Sequence, residues 1–162
     1  MRRNGSDVLA RGGAPRLYLT HTDTEIAVSQ RPLKLKHSLT PNSLSAPFGN
    51  YAHGVKASAS GILVTSGQLG IAPDGVIPAD AASQTRICMQ NIAEILREGG
   101  LSLGHIVRLN AFVTDRCHIA AYMAVRDEFL ADLLAMPAST LVIAAGLSRP
   151  EFVVEVEATA IF

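Results

Sequence analysis

The hydrophobic and polar positions of this 162-residue chain repeat with two periods, one of two residues and one close to the helical period of about 3.6. The period of two is clearest in residues 105–114, where Leu109 and Ala111 alternate with Arg108 and Asn110. Such alternation is typical of a strand with one buried face. With shorter segments of similar character, it predicts five strands, at residues 53–57, 62–66, 105–114, 141–144 and 152–161.

The helical period predicts two helices, at about residues 81–97 and 117–134. Asp80 and Asp115 precede them and can accept hydrogen bonds from their first free amides. Ser60-Gly61 lies between the first two strands and predicts a hairpin turn. The order ββαβαββ predicts an α+β domain, in which two helices pack on one face of a mixed sheet.

Composition and charge divide the chain into two parts. Hydrophobic residues make up 48% and charged residues 17% of the whole, which is enough for a packed core. Residues 1–46 hold seven Lys and Arg against three Asp and Glu, a balance of +4, and residues 47–162 hold seven against eleven, a balance of −4. We expect a basic N-terminal extension, either a mobile arm or a brace at a subunit interface, and one acidic domain. An acidic domain does not favour nucleic acid as a partner.

Other features limit the compartment and the chemistry. No apolar run approaches the roughly 18 residues that cross a bilayer, so no membrane partner is expected. The N-terminal residues lack the apolar segment of a secretory signal, and Cys88 and Cys117 are expected to be free thiols in a reducing compartment. The protein is therefore expected to be cytoplasmic. Cys and His do not cluster at metal-ligand spacing, so no metal is expected.

Two glutamates stand in the last predicted strand. Alternation places Glu155 and Glu157 on one face, opposite Val154. Two carboxylates on one face cannot both be buried and charged without partners. One of them is expected to line a cleft, and the other to be exposed or paired with Arg108 or Arg126.

Six short motifs resemble, in content and order, those of the Rid (reactive intermediate deaminase, YjgF-type) family. They are GNYAHGV at 49–55, VTSGQ at 64–68, QTR at 84–86, FVTD at 112–115, PA at 137–138 and EVEA at 155–158. The resemblance covers about residues 46–162. It implies a chorismate-mutase-like fold and a homotrimer that binds a small-molecule substrate in clefts between subunits.

The resemblance also implies an enamine or imine deaminase and assigns roles to its residues. Glu155 matches the glutamate that orients or activates the attacking water, and Tyr51 matches a tyrosine that lines the cleft. Ser66 and Gly67 end the second strand, and the Gly67 N–H can hold a substrate oxygen. No cofactor is needed, because an imine carbon is already electrophilic.

One position departs from the pattern of the deaminating branch. There an arginine stands two residues after the proline and binds the substrate carboxylate, whereas this chain has Ser139 or Thr140 in its place. A hydroxyl can hydrogen-bond the substrate but cannot supply the charge or the bidentate geometry of arginine. The substrate is therefore expected not to be a simple 2-imino acid. Arg149 either replaces the charge from the adjacent loop or, as we favour, is a solvent-exposed loop residue.

An alternative is a non-catalytic trimer that binds or senses a neutral, partly apolar small molecule. Ribonuclease activity, which has been attached to some members of the family, is disfavoured by the acidic domain and by the lack of a His/Lys catalytic pair.

Overall fold

The computed structural model describes residues 36–162. Its strands are β1 (Lys36–Leu39), β2 (Gly54–Ala57), β3 (Ile62–Val64), β4 (Gln68–Leu69), β5 (Ile106–Val113), β6 (Ala138–Ile143) and β7 (Val154–Ile161). Its α-helices are α1 (Ala81–Glu98) and α2 (Ile119–Leu130), and 3-10 turns lie at Leu103–His105 and Arg116–His118. Neither helix of this part of the chain is long and apolar enough to cross a membrane.

The main sheet has the order β3-β7-β5-β6, with β4 also paired to β7. The pair β5–β6 is parallel and the other pairs are antiparallel, so the sheet is mixed, as predicted. Residues of both helices are buried in one core with residues of β5 and β7, among them Ile92, Leu96, Tyr122, Leu109 and Val156. The α+β prediction, with both helices on one face of the sheet, is confirmed.

Helix α1 begins and ends close to the positions predicted. The side chain of Asp80 accepts a hydrogen bond from the Ser83 amide at 2.8 Å, which satisfies one of the free donors of the first turn. At the other end the Gly99 amide bonds to the Ile95 carbonyl, and Gly100 has a φ of 72°. A glycine adopts this left-handed conformation without the steric cost of a side chain, so the chain turns away there.

Helix α2 is shorter than predicted. Asp115 caps the preceding 3-10 turn, and the α-helix ends at Leu130 rather than near residue 134. The amides of Ala131 and Leu133 bond to carbonyls three residues back, those of Glu128 and Leu130. Such tight bonds close the last turn of a helix, which an apolar pattern cannot distinguish from its continuation.

The hairpin predicted between the first two strands is wrong. Strand β2 pairs with β1 in a separate two-stranded sheet, and β3 pairs with β7. The amides of Ser60 and Gly61 both donate to the carbonyl oxygen of Phe162, at 2.7 and 2.9 Å. A side chain at Gly61 would overlap the Phe162 ring. The turn is therefore attached to the C-terminal residue of the chain and does not join two paired strands.

Strand β1 lies inside the segment predicted as an N-terminal extension. Lys36 is buried, and its Nζ donates to the Ile106 carbonyl at 2.6 Å. Burial lowers the pKa of Lys36 to about 8. Strand pairing therefore reaches at least to residue 36. Residues 1–35 lie outside the described part of the chain, so the arm or brace remains a prediction.

One face of the main sheet packs on the helices, and we call the other the open face. Its side chains come from alternate positions of four strands, namely Ile62, Val64, Arg108, Asn110, Phe112, Thr140, Val142, Glu155, Glu157 and Thr159. Ile62 and Val64 are each 65% exposed, although both are large and apolar. The open face is thus a partly apolar surface that also carries both glutamates.

Candidate active site

Glu155 lies on the open face of β7, as alternation predicts. It stands between Leu69 of β4 and Phe112 of β5 in the sheet register. The residue is half-buried, and its carboxylate makes no hydrogen bond to any residue from 36 to 162. Its near neighbour is Gly67, where a Cβ atom would overlap Glu155 Oε1. Glu155 is therefore an unpaired carboxylate held against the main chain of the β3–β4 loop.

Glycine at residue 67 is explained by this contact. The backbone there is not in the left-handed region, so the requirement is for space and not for an unusual conformation. Ser66, before it, is exposed, and its carbonyl accepts a hydrogen bond from the Gln68 side chain at 3.1 Å.

We expect Gly67→Ala to lower kcat/KM about 10-fold to 100-fold, because the methyl group displaces the Glu155 carboxylate by about 1 Å. The free energy of unfolding is expected to change little. Gly146→Ala is the matched control, since a Cβ there meets no atom within 4 Å. Steady-state kinetics of imine hydrolysis check the prediction, and equal rates for both variants would contradict it.

Glu157 differs from Glu155 in having a partner. Asn110 Nδ2 donates to Glu157 Oε1 at 2.7 Å, and Asn110 Oδ1 accepts from Arg108 Nε at 2.9 Å. Arg108 Nη2 also donates to the Thr140 hydroxyl at 3.4 Å. Arg108 therefore reaches Glu157 through Asn110. The prediction that one glutamate is paired and the other free to line a cleft fits this arrangement.

Ser139 and Thr140 point to opposite faces of the sheet. Thr140 is aligned with Asn110 and belongs to the open face, whereas Ser139 is aligned with the fully buried Leu109 and faces the helices. Burial raises the pKa of Tyr122 on α2, and the charge of Arg126 and the hydroxyl of Ser139 act in the opposite direction. Ser139 thus lies beside the Tyr122 side chain.

Tyr51 lies in the segment that runs beside the start of β6. The neighbouring Ala52 forms a bridge with Ala138, and the Ala52 amide donates to the Pro137 carbonyl at 3.1 Å. A Cβ on Gly49 would lie 2.6 Å from Met123 Cε and 3.9 Å from Tyr51 Cδ1. The segment that carries Tyr51 is therefore packed closely on α2.

Arg126 is a feature of this side that the sequence analysis did not assign to the site. Its side chain is 3% exposed, and its Nε and Nη2 donate to Asp127 Oδ1 at 2.9 and 2.6 Å. Of the alternatives given for the second glutamate, a pair with Arg126 is not formed, because Arg126 pairs with Asp127 and both glutamates lie on the other side of the sheet. An arginine within the apolar stripe of α2 was the signal available in the sequence.

Arg149 is the exposed loop residue that we favoured. It pairs with Glu151 at 3.1 Å, and its Cζ lies 5.5 Å from the centre of the Phe152 ring. With Thr114 and Gly146 it lines a cleft of about 410 Å³, to which Ser139 does not contribute.

The site residues predicted from sequence therefore form two groups. The open-face group contains Glu155 and Thr140, with Gly67 and Ser66 at its edge. The helix-side group contains Ser139, which faces the helices, and Tyr51, whose segment contacts α2 through Gly49. One chain does not bring the two groups together in the described residues.

Comparison with known proteins gives consistent matches. Residues 41–162 match the family described as endoribonuclease L-PSP. The 2-iminobutanoate/2-iminopropanoate deaminase of Escherichia coli is 31% identical over 129 residues, which are 78% of this chain and 98% of that protein. The mitochondrial protein mmf2 of Schizosaccharomyces pombe is 38% identical over 96 residues, which are 59% of this chain and 73% of that protein.

Solved structures agree with the sequence matches. YyfB from Yersinia pestis, described as a conserved Rid family protein, has a TM-score of 0.72 at 26% identity, with 78% of this chain and 98% of that chain covered. The YjgF gene product of Escherichia coli has a TM-score of 0.58 at 32% identity, with 76% and 97% covered. Because the family match spans nearly all of the described residues, this chain belongs to the Rid/YjgF family, with its chorismate-mutase-like fold.

Proposed function

We propose that this protein hydrolyses a reactive imine or enamine and releases ammonia. The observation that carries the proposal is the Glu155 carboxylate, which is half-buried, unpaired within residues 36–162 and held against Gly67. A carboxylate in this setting can accept a proton from a water molecule. Relatives named as a 2-iminobutanoate/2-iminopropanoate deaminase and as a putative reactive intermediate deaminase support the same class of reaction.

In the proposed reaction, water adds to the imine carbon and gives up one proton to Glu155, which passes that proton to the imine nitrogen, so that the carboxylate is restored and a neutral carbinolamine forms. The new hydroxyl then loses its proton and the C–N bond breaks. The electron pair of the C–N bond leaves with the nitrogen, which takes up the proton released by the hydroxyl and departs as ammonia. A carbonyl product remains. The Gly67 amide and the Thr140 hydroxyl hold the substrate oxygen, and Tyr51 closes the pocket. Ser66 and Ser139 provide further polar contacts, and no cofactor takes part.

The proposed substrate is larger or less acidic than a simple 2-imino acid. Residues 139 and 140 are serine and threonine, whose neutral hydroxyls bind a carboxylate less strongly than a charge-assisted pair does. This preference would separate the protein from relatives named for 2-iminobutanoate and 2-iminopropanoate.

The proposed site lies in clefts between the subunits of a homotrimer. The division of the site residues between two faces of the sheet supports this, since a second copy can bring its helix-side group to the open face of the first. The exposed Ile62, Val64 and Val142 of the open face support it too, because an apolar surface of this kind favours burial against another subunit.

The second candidate is a non-catalytic trimer that binds a neutral small molecule. The serine at 139 favours it, because binding alone does not need the anion contact that the deaminating branch supplies with arginine.

The test is ammonia release from a panel of amino acids, each converted in situ to its imine by an amino-acid oxidase. We expect the wild-type protein to accelerate release over buffer, most for the bulky imines. If no imine is accelerated by the wild type but Ser139→Arg accelerates the short ones, the hydrolase proposal fails and the binding alternative is supported.

A further inference from the structure

A buried hydroxyl that makes no hydrogen bond of good geometry lies beside the helix-side group. Tyr122 is fully buried, and its hydroxyl makes no hydrogen bond of good distance and angle to any residue in the described part of the chain, although the Ser139 and Arg126 side chains lie close enough to lower its pKa against the larger effect of burial. A buried hydroxyl of this kind costs free energy, because the bonds it made to water in the unfolded chain are not replaced. A ligand oxygen that came within hydrogen-bond distance of this hydroxyl would therefore be stabilised.

A buried guanidinium lies next to this hydroxyl. Arg126 stands one helical turn after Tyr122, and its Cζ is 5.6 Å from the centre of the tyrosine ring. Asp127 accepts hydrogen bonds from Nε and Nη2 of Arg126 but not from Nη1. Arginine can present two separate edges to acceptors, so the pairing with Asp127 leaves donors for a second anion.

Both groups meet the residues that the family resemblance places in the cleft. Burial has the largest effect on the pKa of Tyr122 and raises it. The Ser139 hydroxyl and the charge of Arg126 have smaller effects and lower it. A Cβ on Gly49 would lie 3.7 Å from Arg126 Nη2 and 3.9 Å from Tyr51 Cδ1. The guanidinium, the unpartnered hydroxyl and Ser139 therefore lie together at the start of β6.

From this arrangement we infer that Arg126 is a relocated anion contact. The charge absent from β6 at Ser139 is supplied by α2, and the Tyr122 hydroxyl donates the second hydrogen bond to the same carboxylate. This inference rests on the proposed function and narrows its substrate to a larger imine that keeps its carboxylate, as opposed to a neutral one. Because Asp127 shares the guanidinium, the contact is expected to be weaker than one made by an unpaired arginine.

The test is a binding measurement with two stable probes that need no turnover. 2-Oxohexanoate has the carbonyl and carboxylate that hydrolysis of a bulky 2-imino acid would leave, and 2-oxohexanamide replaces the carboxylate by a neutral amide. We expect wild type to bind the carboxylate more tightly. Arg126→Gln is expected to raise the Kd for 2-oxohexanoate about 10-fold and that for the amide less than twofold, as measured by calorimetry on the full chain.

Two further variants make the result specific. Tyr122→Phe removes the hydroxyl, which makes no hydrogen bond in the fold, and is expected to raise the Kd for 2-oxohexanoate several-fold even if Arg126→Gln does not fold. Arg86→Gln is the control for loss of one positive charge, since Arg86 is exposed and pairs with Glu128 between the helices. It is expected to leave both Kd values unchanged.

The inference is overturned if the wild type binds the two probes equally or binds neither. It is also overturned if both variants keep the wild-type preference for the carboxylate. Failure of this inference can be distinguished from failure of the hydrolase proposal. A carboxylate preference that depends on Arg126, together with no ammonia release from any imine, would support the anion contact and overturn the hydrolase proposal. Ammonia release without a preference for the carboxylate probe would support the hydrolase proposal and overturn the anion contact.

Discussion

Replacing Glu155 with glutamine is expected to lower kcat for imine hydrolysis by about 100-fold to 10,000-fold, with little change in KM. The amide keeps the size of the carboxylate but cannot accept the proton of the attacking water, and general base catalysis contributes a factor of this order. The folded protein is expected to be as stable as wild type, since the Glu155 side chain makes no hydrogen bond within residues 36–162. Ammonia release under saturating imine is the measurement.

Glu157→Gln is a closely matched control for this variant. Glu157 stands on the same face of β7 and loses the same charge, but its partner is Asn110 Nδ2, whose hydrogen bond a glutamine oxygen also accepts. Its kcat is expected to stay within about threefold of wild type, since the proposed reaction uses Glu155 as its base. A Glu155→Gln variant with a third or more of the wild-type kcat would show that another group activates the water.

The sequence predicts the shared face of these two glutamates but not which of them has a hydrogen-bond partner. Strict alternation in residues 152–161 predicts that both lie on one face, and the structure confirms this. Which of them has a partner depends on the register between β7 and β5, which aligns Glu157 with Asn110 and Glu155 with Phe112. Alternation sets the face of a residue, whereas register is set by contacts between distant parts of the chain.

The faces of Ser139 and Thr140 were not predictable for a related reason. The apolar run predicts a strand from residue 141, whereas β6 begins at Ala138 because it pairs in parallel with β5. The two polar residues were therefore treated as equivalent, although one belongs to each face of the sheet. The pairing of β1 with β2 was missed similarly, since a nearby turn signal favours a local hairpin over a partner farther along the chain.

The QTR motif shows what a family pattern leaves unexplained. Gln84 belongs to a motif shared with the family, but the motif does not explain why a glutamine stands there. The structure provides the explanation. Gln84 is fully buried in α1, and its Nε2 donates to the carbonyls of Pro78 and Glu151 at 2.7 and 2.8 Å. Its Oε1 accepts from the Val153 amide at 2.9 Å. Hydrogen bonds from one side chain therefore connect α1 to the loop before it and to the residues that lead into β7.

Gln84→Ala is expected to lower the free energy of unfolding by about 3 kcal/mol or more. Two carbonyls and one amide lose their partner, each at a cost of about 1–3 kcal/mol when it stays buried, and a cavity adds to the loss. Urea-induced unfolding measures the change. Gln90→Ala on the exposed side of the same helix is the control and is expected to shift stability by no more than about 0.5 kcal/mol.

The same substitution is expected to lower activity as well, because β7 connects its hydrogen bonds to the proposed active site. Val153 stands two residues before Glu155, so loss of its hydrogen bond to Gln84 loosens the strand that positions the proposed base. Gln84→Ala should therefore also lower kcat at temperatures where the protein is fully folded, by less than Glu155→Gln does. Full activity in a destabilised Gln84→Ala protein would mean that the β-sheet register alone holds Glu155 in place. A stability equal to that of Gln90→Ala would mean that water replaces the three bonds.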